Sequence, residues 1–318
     1  MRILIPLLAF LFSALMPTNV RALGSGSKGT AGAQFLKIAP GARAVGMGEA
    51  YGGVAEGVYA AYYNPAGLAF VETVEAGASR DQHFEGISHN YGALAVPLLS
   101  WRDTRRKRNE LGTAALTLTS LSISDIERRG LVETDTPQGT FGASDFAYSI
   151  AYGYALSKRF ALGGAFKMIQ QNLDSTSASA FAIDGGALVK GERFSWGGGI
   201  RNFGQGVTLG STKDPLPTTV YAGAGYRPSG RWLVAGELRQ PSDDSLLISL
   251  GMEYTRIFNK QLTGAVRAGF NSSNMDAEGF GGATLGGGII YKRTEFGLAW
   301  APMGDLGSTF RYSLRFKF

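Results

Sequence analysis

The sequence predicts an all-β fold, namely a 14-stranded antiparallel transmembrane β-barrel with an N-terminal plug (hatch) segment. Three observations carry this prediction: the composition, the alternation of apolar residues with period two, and connections of two alternating kinds. Of the 318 residues, 46 are glycine, and aromatic residues make up 11 %. Because glycine costs about 1 kcal/mol at a helical site relative to alanine, this composition disfavours long helices.

The composition also excludes several classes of function. Cysteine is absent, so disulfides, thiolate-bound metals and a cysteine nucleophile are ruled out. The formal net charge of +6 is mild and spread along the chain, so no nucleic-acid partner is expected. We expect no cofactor, no metal site and no catalytic residue.

Residues 1–22 have the features of a secretory signal peptide. Arg2 precedes an apolar run from Ile3 to Met16, and residues 20–22 form a small-x-small type of cleavage site. The alternative is an N-terminal membrane anchor, but the run is shorter than the roughly 20 residues that a spanning helix needs. We therefore expect export from the cytoplasm.

From residue 73 onward the chain predicts strands. Starting at Phe146, for example, large apolar residues occupy every second position, which indicates a strand with one apolar face. Fourteen such segments are found, and single-chain bacterial barrels have even strand numbers. The segments are 73–83, 87–98, 111–121, 144–155, 160–172, 179–190, 193–202, 218–227, 231–240, 246–256, 260–271, 281–291, 294–301 and 308–318.

The connections between these segments are of two kinds. Every second one is short and basic, such as 157–159, and the others are longer and rich in Asp, Ser and Gly, such as 122–143 and 203–217. Short turns at one rim and long loops at the other are typical of an outer-membrane barrel with periplasmic termini. The sequence therefore predicts a multi-pass protein of the bacterial outer membrane, in contact with its lipid.

Charged residues occupy the parity opposite to the aromatic residues, so in a barrel they point into the lumen. A soluble barrel would invert this pattern. Both signs of charge occur, which allows ion pairs between neighbouring strands. These residues either brace the interior, or they line a solute path or hold the plug. They are Lys167, Glu237, Arg239, Glu253, Arg267, Glu295, Arg311 and Arg315.

Residues 23–72 do not alternate and are rich in small residues, which suits a compact insert in a crowded lumen. Pro65 disfavours the α conformation at Asn64, so a short helix over about 54–62 should end there. The Asn64 side chain is expected to hydrogen-bond to local backbone, and the turn has either a purely structural role or a ligand role.

Two motifs in this segment resemble a known family. They are Ala42-Arg43-Ala44-Val45-Gly46-Met47-Gly48 and Asn64-Pro65-Ala66-Gly67-Leu68. In combination they resemble the N-terminal hatch of PorV/PorQ-type proteins, within the wider FadL-like group of outer-membrane barrels. The resemblance is close over 28–70 and architectural elsewhere, and the chain departs from it at Glu56-Gly57, where relatives usually carry two acids. It implies a hatch over 23–72 inside a barrel over 73–318.

The last strand resembles the signal that the barrel-assembly machinery reads. Phe316 and Phe318 lie on the apolar parity, Arg311 occupies the polar position, and Ser313 stands where that signal often has glycine. The resemblance implies that this machinery is a partner.

Two functions from different classes follow from the resemblance. One is passive transport of a hydrophobic or small solute across the outer membrane, which predicts an apolar pocket between hatch and loops. The other is a docking or shuttle role in type IX secretion, in which loops 122–143 and 203–217 bind secretion-system subunits or secreted proteins.

An enzyme is the less favoured third class. The run from Gly24 to Thr30 has the residues of a phosphate-binding loop in the wrong order. The two histidines, His83 and His89, lie near Asp81 and Ser88, the minimum that a barrel hydrolase would need. Polar residues at a barrel rim explain the same pattern.

Overall fold

The computed structural model describes residues 28–82, 86–98, 111–130, 135–210, 212–275, 281–302 and 307–318. The predicted signal peptide, 1–22, lies outside these residues, as does His83.

The chain forms a closed barrel of fourteen antiparallel strands, which confirms the predicted fold class. With two further short strands, the strands of the described residues are β1 Glu75–Gln82, β2 Ser88–Pro97, β3 Thr113–Arg128, β4 Gly139–Ala155, β5 Phe160–Leu173, β6 Thr176–Lys190, β7 Phe194–Gly204, β8 Val207–Leu209, β9 Thr212–Asp214, β10 Thr219–Ser229, β11 Trp232–Pro241, β12 Leu247–Ile257, β13 Leu262–Asn271, β14 Ala283–Tyr291, β15 Thr294–Pro302 and β16 Ser308–Lys317. Each barrel strand pairs with the next barrel strand along the chain, and β1 closes the barrel against β16. The two short strands, β8 and β9, pair with each other.

The barrel is apolar outside and polar inside. Along β12, Leu250 and Met252 are exposed, whereas Ser249, Gly251 and Glu253 between and beside them are buried. The other barrel strands repeat this alternation with large apolar side chains exposed on the outer parity, except β1, whose outer parity carries small and polar residues. Such an exterior suits contact with lipid chains rather than water. None of the helices in the described residues is long and apolar enough to cross a membrane, a finding that does not bear on spanning strands.

Two predicted loops contain strands. The hairpin of β3 and β4 extends through much of 122–143, with a register shift between Ile123 and Ile126 at Asp125, whose φ is 61°. The outer parity of this part is polar, and its apolar residues Ile123, Ile126 and Phe141 lie half-buried on the inner parity. It therefore lacks the outward-facing apolar residues that mark the membrane-spanning part of the strands. The predicted loop 203–217 likewise contains a small hairpin, which β8 and β9 form.

Residues 28–74, the described part of the chain before β1, contain only short helices. The helix predicted over 54–62 is wrong in extent, since the α-helix is Ala60–Tyr63, and glycines at 52, 53 and 57 make a longer helix costly. The predicted end at Asn64 is found there, with φ −159° and ψ 101°. The remaining helices of residues 28–74 are the α-helix Ala42–Val45 and the 3-10 helices Gln34–Lys37 and Pro65–Phe70. Another 3-10 helix, Ser272–Asn274, follows β13.

Candidate functional site

Residues 28–72, here called the hatch, pack against the inward-facing side of the strands. Phe35, Met47, Val58 and Tyr63 in the hatch are fully buried. We call the barrel end with the short connections the turn side and the opposite end the loop side. The hatch separates a cavity of about 20 Å³ on the turn side from one of about 310 Å³ on the loop side.

Small residues allow the hatch backbone to reach the wall. Gly48 has a φ of 63°, and its N–H donates to Thr284 Oγ1 at 3.0 Å. A Cβ on Gly48 would lie 2.6 Å from the backbone oxygen of Leu250, and a Cβ on the facing Gly251 would lie 2.7 Å from Met47 Cβ. Gly46 faces Gly286 in the same way. This part of the motif therefore fits the wall only with minimal side chains.

Asn64 ties two parts of the hatch to β6. Its Oδ1 accepts from the Ala66 N–H at 3.2 Å, and its Nδ2 donates to the backbone oxygens of Gly52 at 2.9 Å and Ala187 at 3.0 Å. The residues that follow it, Pro65, Ala66 and Gly67, are buried. Among the described residues, the side-chain hydrogen bonds of Asn64 all go to protein backbone, which favours a structural role for the motif.

Arg43 joins the hatch to β12. Its Nε donates to Glu253 Oε2 at 2.8 Å and its Nη2 to Glu253 Oε1 at 2.7 Å, while its Nη1 contacts Glu56. Bidentate, charge-assisted contacts of this kind are among the stronger hydrogen bonds in proteins. Burial alone would raise the pKa of Glu56, but the charges of Arg43 and Lys190 outweigh it and hold that pKa well below its ordinary value.

Glu253 belongs to a chain of ion pairs around the turn side of the lumen. Arg267 Nε lies 2.7 Å from Glu253 Oε2, and Arg267 Nη2 lies 3.3 Å from Glu295 Oε1. Arg315 continues the chain, 2.5 Å from Glu295 Oε2 and 3.9 Å from Glu75 Oε2. Four of the predicted inward charges are thus placed together, with Arg43 as their link to the hatch.

The other predicted inward charges lie toward the loop side. Arg239 Nη1 is 2.5 Å from Glu49 Oε2, and Arg311 Nη1 is 3.7 Å from Glu49 Oε1. Lys167 Nζ is 2.7 Å from Asp184 Oδ2. Glu237 Oε2 instead accepts from the hatch backbone, from the N–H groups of residue 52 at 2.5 Å and residue 51 at 3.0 Å.

The larger cavity lies between these charges and the loops. It is amphiphilic, because one part of its lining is apolar and includes Leu36, Ile38 and Leu247. The transport hypothesis predicted an apolar pocket here. The cavity differs from that prediction because cationic side chains of the barrel strands also line it. Its charged lining residues are Lys37, Lys167, Arg201, Arg239 and Arg311, against Glu49 and Asp244.

Arg201 is the most distinctive side chain of this cavity. Its guanidinium carbon lies 4.6 Å from the ring centre of Tyr221 and 5.7 Å from that of Tyr62. Glu237 Oε1 lies 3.6 Å from Arg201 Nη2, and the two buried side chains form an ion pair. Aromatic rings hold the cation in place, and only Nη2 of its guanidinium lies within ion-pair distance of Glu237. A guanidinium has five N–H donors, so Arg201 keeps donors that can bind an anion.

Several functional residues were missing from the sequence prediction. Glu49 and Glu56 are isolated acids in a segment without periodicity, and Arg201 follows a run of three glycines that obscures the alternation of β7. Glu75 stands at the first position of β1. The inward parity of the strands could have revealed Arg201 and Glu75.

The histidine considered for catalysis lies in the barrel wall. His89 Nδ1 is 3.0 Å from Asp81 Oδ2, both side chains are fully buried, and Arg311 Nε lies 3.3 Å from the same oxygen. Ser88 accepts a hydrogen bond from Arg80 instead. Within the described ranges, no group of three or more His, Asp or Glu side chains is placed to hold a metal ion.

Solved structures of outer-membrane channels share this fold. They include a FadL homologue from Pseudomonas aeruginosa, with 11% identity, a TM-score of 0.55 and coverage of 88% of this chain and 98% of that one. The toluene transporter TbuX from Ralstonia pickettii has 12% identity, a TM-score of 0.53 and coverage of 89% and 99%. The toluene transporter TodX from Pseudomonas putida has 11% identity, a TM-score of 0.53 and coverage of 85% and 96%.

These likenesses show the fold, a FadL-like barrel. Neither a protein-family model nor a curated protein sequence matches the chain. The finer resemblance to PorV/PorQ proteins stays a prediction.

Proposed function

We propose that this protein is an outer-membrane channel that transports an amphiphilic solute passively, with an anionic group as the polar part of that solute. The observation that carries the proposal is the cavity of about 310 Å³ in which apolar side chains face the buried Arg201. The apolar exterior of the barrel supports a place in the membrane. The fold shared with two toluene transporters supports passage of a largely apolar molecule.

In this proposal the solute enters from the loop side. Its apolar part contacts Leu36, Ile38 and Leu247, and its acidic group faces Arg201 and Arg239. Residues 23–72 form the plug that stops it there. Passage requires the hatch to shift, and the Arg43–Glu253 contact holds the hatch in the closed position.

The remaining site residues have structural roles in this proposal. The turn-side ion pairs brace the wall against which the hatch rests. Phe316 and Phe318 are 41% and 65% exposed on the outer face, which suits reading by the barrel-assembly machinery. Membership of the PorV/PorQ family and the secretion role rest on the hatch motif alone, so they form the alternative.

The proposal is tested with benzoate and benzyl alcohol, which share an aromatic ring and differ in the carboxylate. We expect equilibrium dialysis of the detergent-purified protein to show tighter binding of benzoate, and proteoliposomes to take up benzoate faster than empty liposomes. Arg201→Gln should reduce benzoate binding by about ten- to a hundredfold, because one charge-assisted contact contributes about 1.5–3 kcal/mol. Arg159→Gln, in an exposed turn, is the matched control.

Equal binding of both compounds would refute the anionic preference, and uptake no faster than in empty liposomes would refute the channel. Affinity purification from the native membrane tests the alternative. Recovery of secretion-system subunits would favour the docking role.

A further inference from the structure

The apolar exterior of the barrel is interrupted at β1 and β2. Elsewhere the outer parity presents large side chains, but here it presents Ala78, Arg80, Asn90 and Gly92. Ala78 and Arg80 are exposed, and Asn90 and Gly92 are half-buried. This interruption lies on the outer face of the wall, on the other side from the hatch and the cavity of the proposed transport function.

The interruption forms a groove of about 470 Å³ on the lipid-facing surface. A Cβ added to Gly92 would meet no atom within 4 Å, so the missing side chain leaves open space. The walls come from five adjacent strands, β15, β16, β1, β2 and β3. The apolar residues that line the groove are Ala78, Leu118, Phe296, Tyr312 and Leu314.

Arg80 lies among the apolar residues of the outer face rather than beyond them. It pairs in register with Tyr312, which is flanked on β16 by Phe310 toward the loop side and Leu314 toward the turn side. Phe310 and Tyr312 are both exposed on the outer face. Arg80 is therefore a cation near the loop-side edge of the surface that meets lipid.

The charge of Arg80 has little compensation from the protein. Its Nη2 donates to Ser88 Oγ at 3.5 Å, and in the part of the chain that the structure describes no carboxylate lies within ion-pair distance of it. A cation on the lipid face is costly unless it finds an anion or reaches the interface. The side chains beside it in the groove, Asn90 and Ser120, add further hydrogen-bond donors.

We propose that this groove binds an anionic, phosphate-bearing lipid of the leaflet on the loop side. The lipid phosphate accepts hydrogen bonds from the Arg80 guanidinium, whose planar fork matches phosphate oxygens. An acyl chain fills the space over Gly92 and lies along Leu118 and Leu314. Charge complementarity selects an anionic lipid. Because the groove lies within the apolar outer face of the barrel, that lipid lies in the membrane.

The experiment measures lipid retained by the purified protein. The protein is reconstituted in vesicles of equimolar phosphatidylcholine and phosphatidylglycerol, extracted with neutral detergent, and examined by native mass spectrometry for bound lipid. We expect retained phosphatidylglycerol to exceed retained phosphatidylcholine several-fold. Arg80→Gln should abolish this preference, Arg80→Lys should preserve part of it, and the control Arg159→Gln should leave it unchanged.

A second variant tests the groove without changing charge. Gly92→Leu places an apolar side chain in the open space, so we expect it to expel the lipid while heat-modifiable migration shows that the barrel still folds. Retention of the preference in either Arg80→Gln or Gly92→Leu would overturn the proposal. So would a wild-type dimer that Gly92→Leu dissociates, since the occupant would then be a second copy of the chain. Benzoate binding in the lumen is a separate readout that these outer-face variants should not change.

Discussion

Arg43 of the hatch and Glu253 of β12 form a two-point ion pair, with distances of 2.8 and 2.7 Å. The two residues are 210 positions apart in the chain, so the pair exists only when the hatch lies inside the closed barrel. Both side chains are largely buried. Breaking a buried ion pair leaves an uncompensated charge. A substitution in this pair is therefore the sharpest test of what holds the hatch in its closed position.

Arg43→Gln should loosen the hatch without unfolding the barrel. The substitution leaves Glu56 without its main partner, while Glu253 keeps Arg267. We expect the closed position to lose about 3 kcal/mol, the lower end for breaking a buried pair. The measurement is single-channel conductance in planar bilayers, where open events should become frequent. Arg159→Gln removes an exposed pair with Glu192 and should leave conductance unchanged.

Gly48→Ala should displace the hatch by steric exclusion. The left-handed backbone costs a residue with a Cβ about 1 kcal/mol, and the added carbon would also collide with the wall at Leu250. Gly210→Ala is the matched control, since its φ is 68° and a Cβ there meets nothing within 4 Å. Limited proteolysis should cut the hatch faster in Gly48→Ala than in Gly210→Ala. Equal rates would mean that neither the backbone strain nor the collision at residue 48 displaces the hatch.

The strands could be predicted from the sequence because each residue of a lipid-spanning strand faces either lipid or lumen. That constraint imposes a period of two on β12 and β16, and the period alone identifies Glu253 and Arg315 as inward residues. The same argument fails for the parts of strands that extend beyond the membrane on the loop side. There the continuation of β3 and β4 meets water on its outer face, so the pattern of 122–143 is typical of a loop.

The contacts of the hatch could not be predicted in the same way. The hatch has no repeated element, so its sequence shows which residues are small or charged but not which strand each one meets. Glu56 is next to a glycine in sequence and beside Arg43 in space, and Arg201 acts with Tyr62 across the lumen. Strand parity placed Lys167, Arg239 and Arg311 in the lumen, but it could not show that they line one cavity, because that cavity forms where residues from the hatch and distant strands converge.

Acid should favour release of the hatch through Glu56. Its pKa is lower when the hatch is docked than when it is free, so the carboxylate stabilises docking at pH values above the ordinary pKa of about 4.3. That contribution is lost as the pH falls from there through the lower pKa of the docked state. We expect channel opening to increase below about pH 4. Glu56→Gln should remove this increase, and an unchanged pH profile in that variant would assign the effect to another group.

Asn64 offers a test of whether the second motif acts through its hydrogen bonds or through its shape. Asn64→Asp keeps the acceptor for the Ala66 N–H but loses the two donors to the backbone oxygens of Gly52 and Ala187. Because these acceptors and the new carboxylate are buried, we expect a loss of about 3 kcal/mol, seen as faster proteolysis of the hatch. Asn64→Ala loses acceptor and donors alike but buries no charge, so it should be milder. If Asn64→Asp proves no worse than Asn64→Ala, the donors contribute little and the fixed turn at Pro65 is what orders the motif.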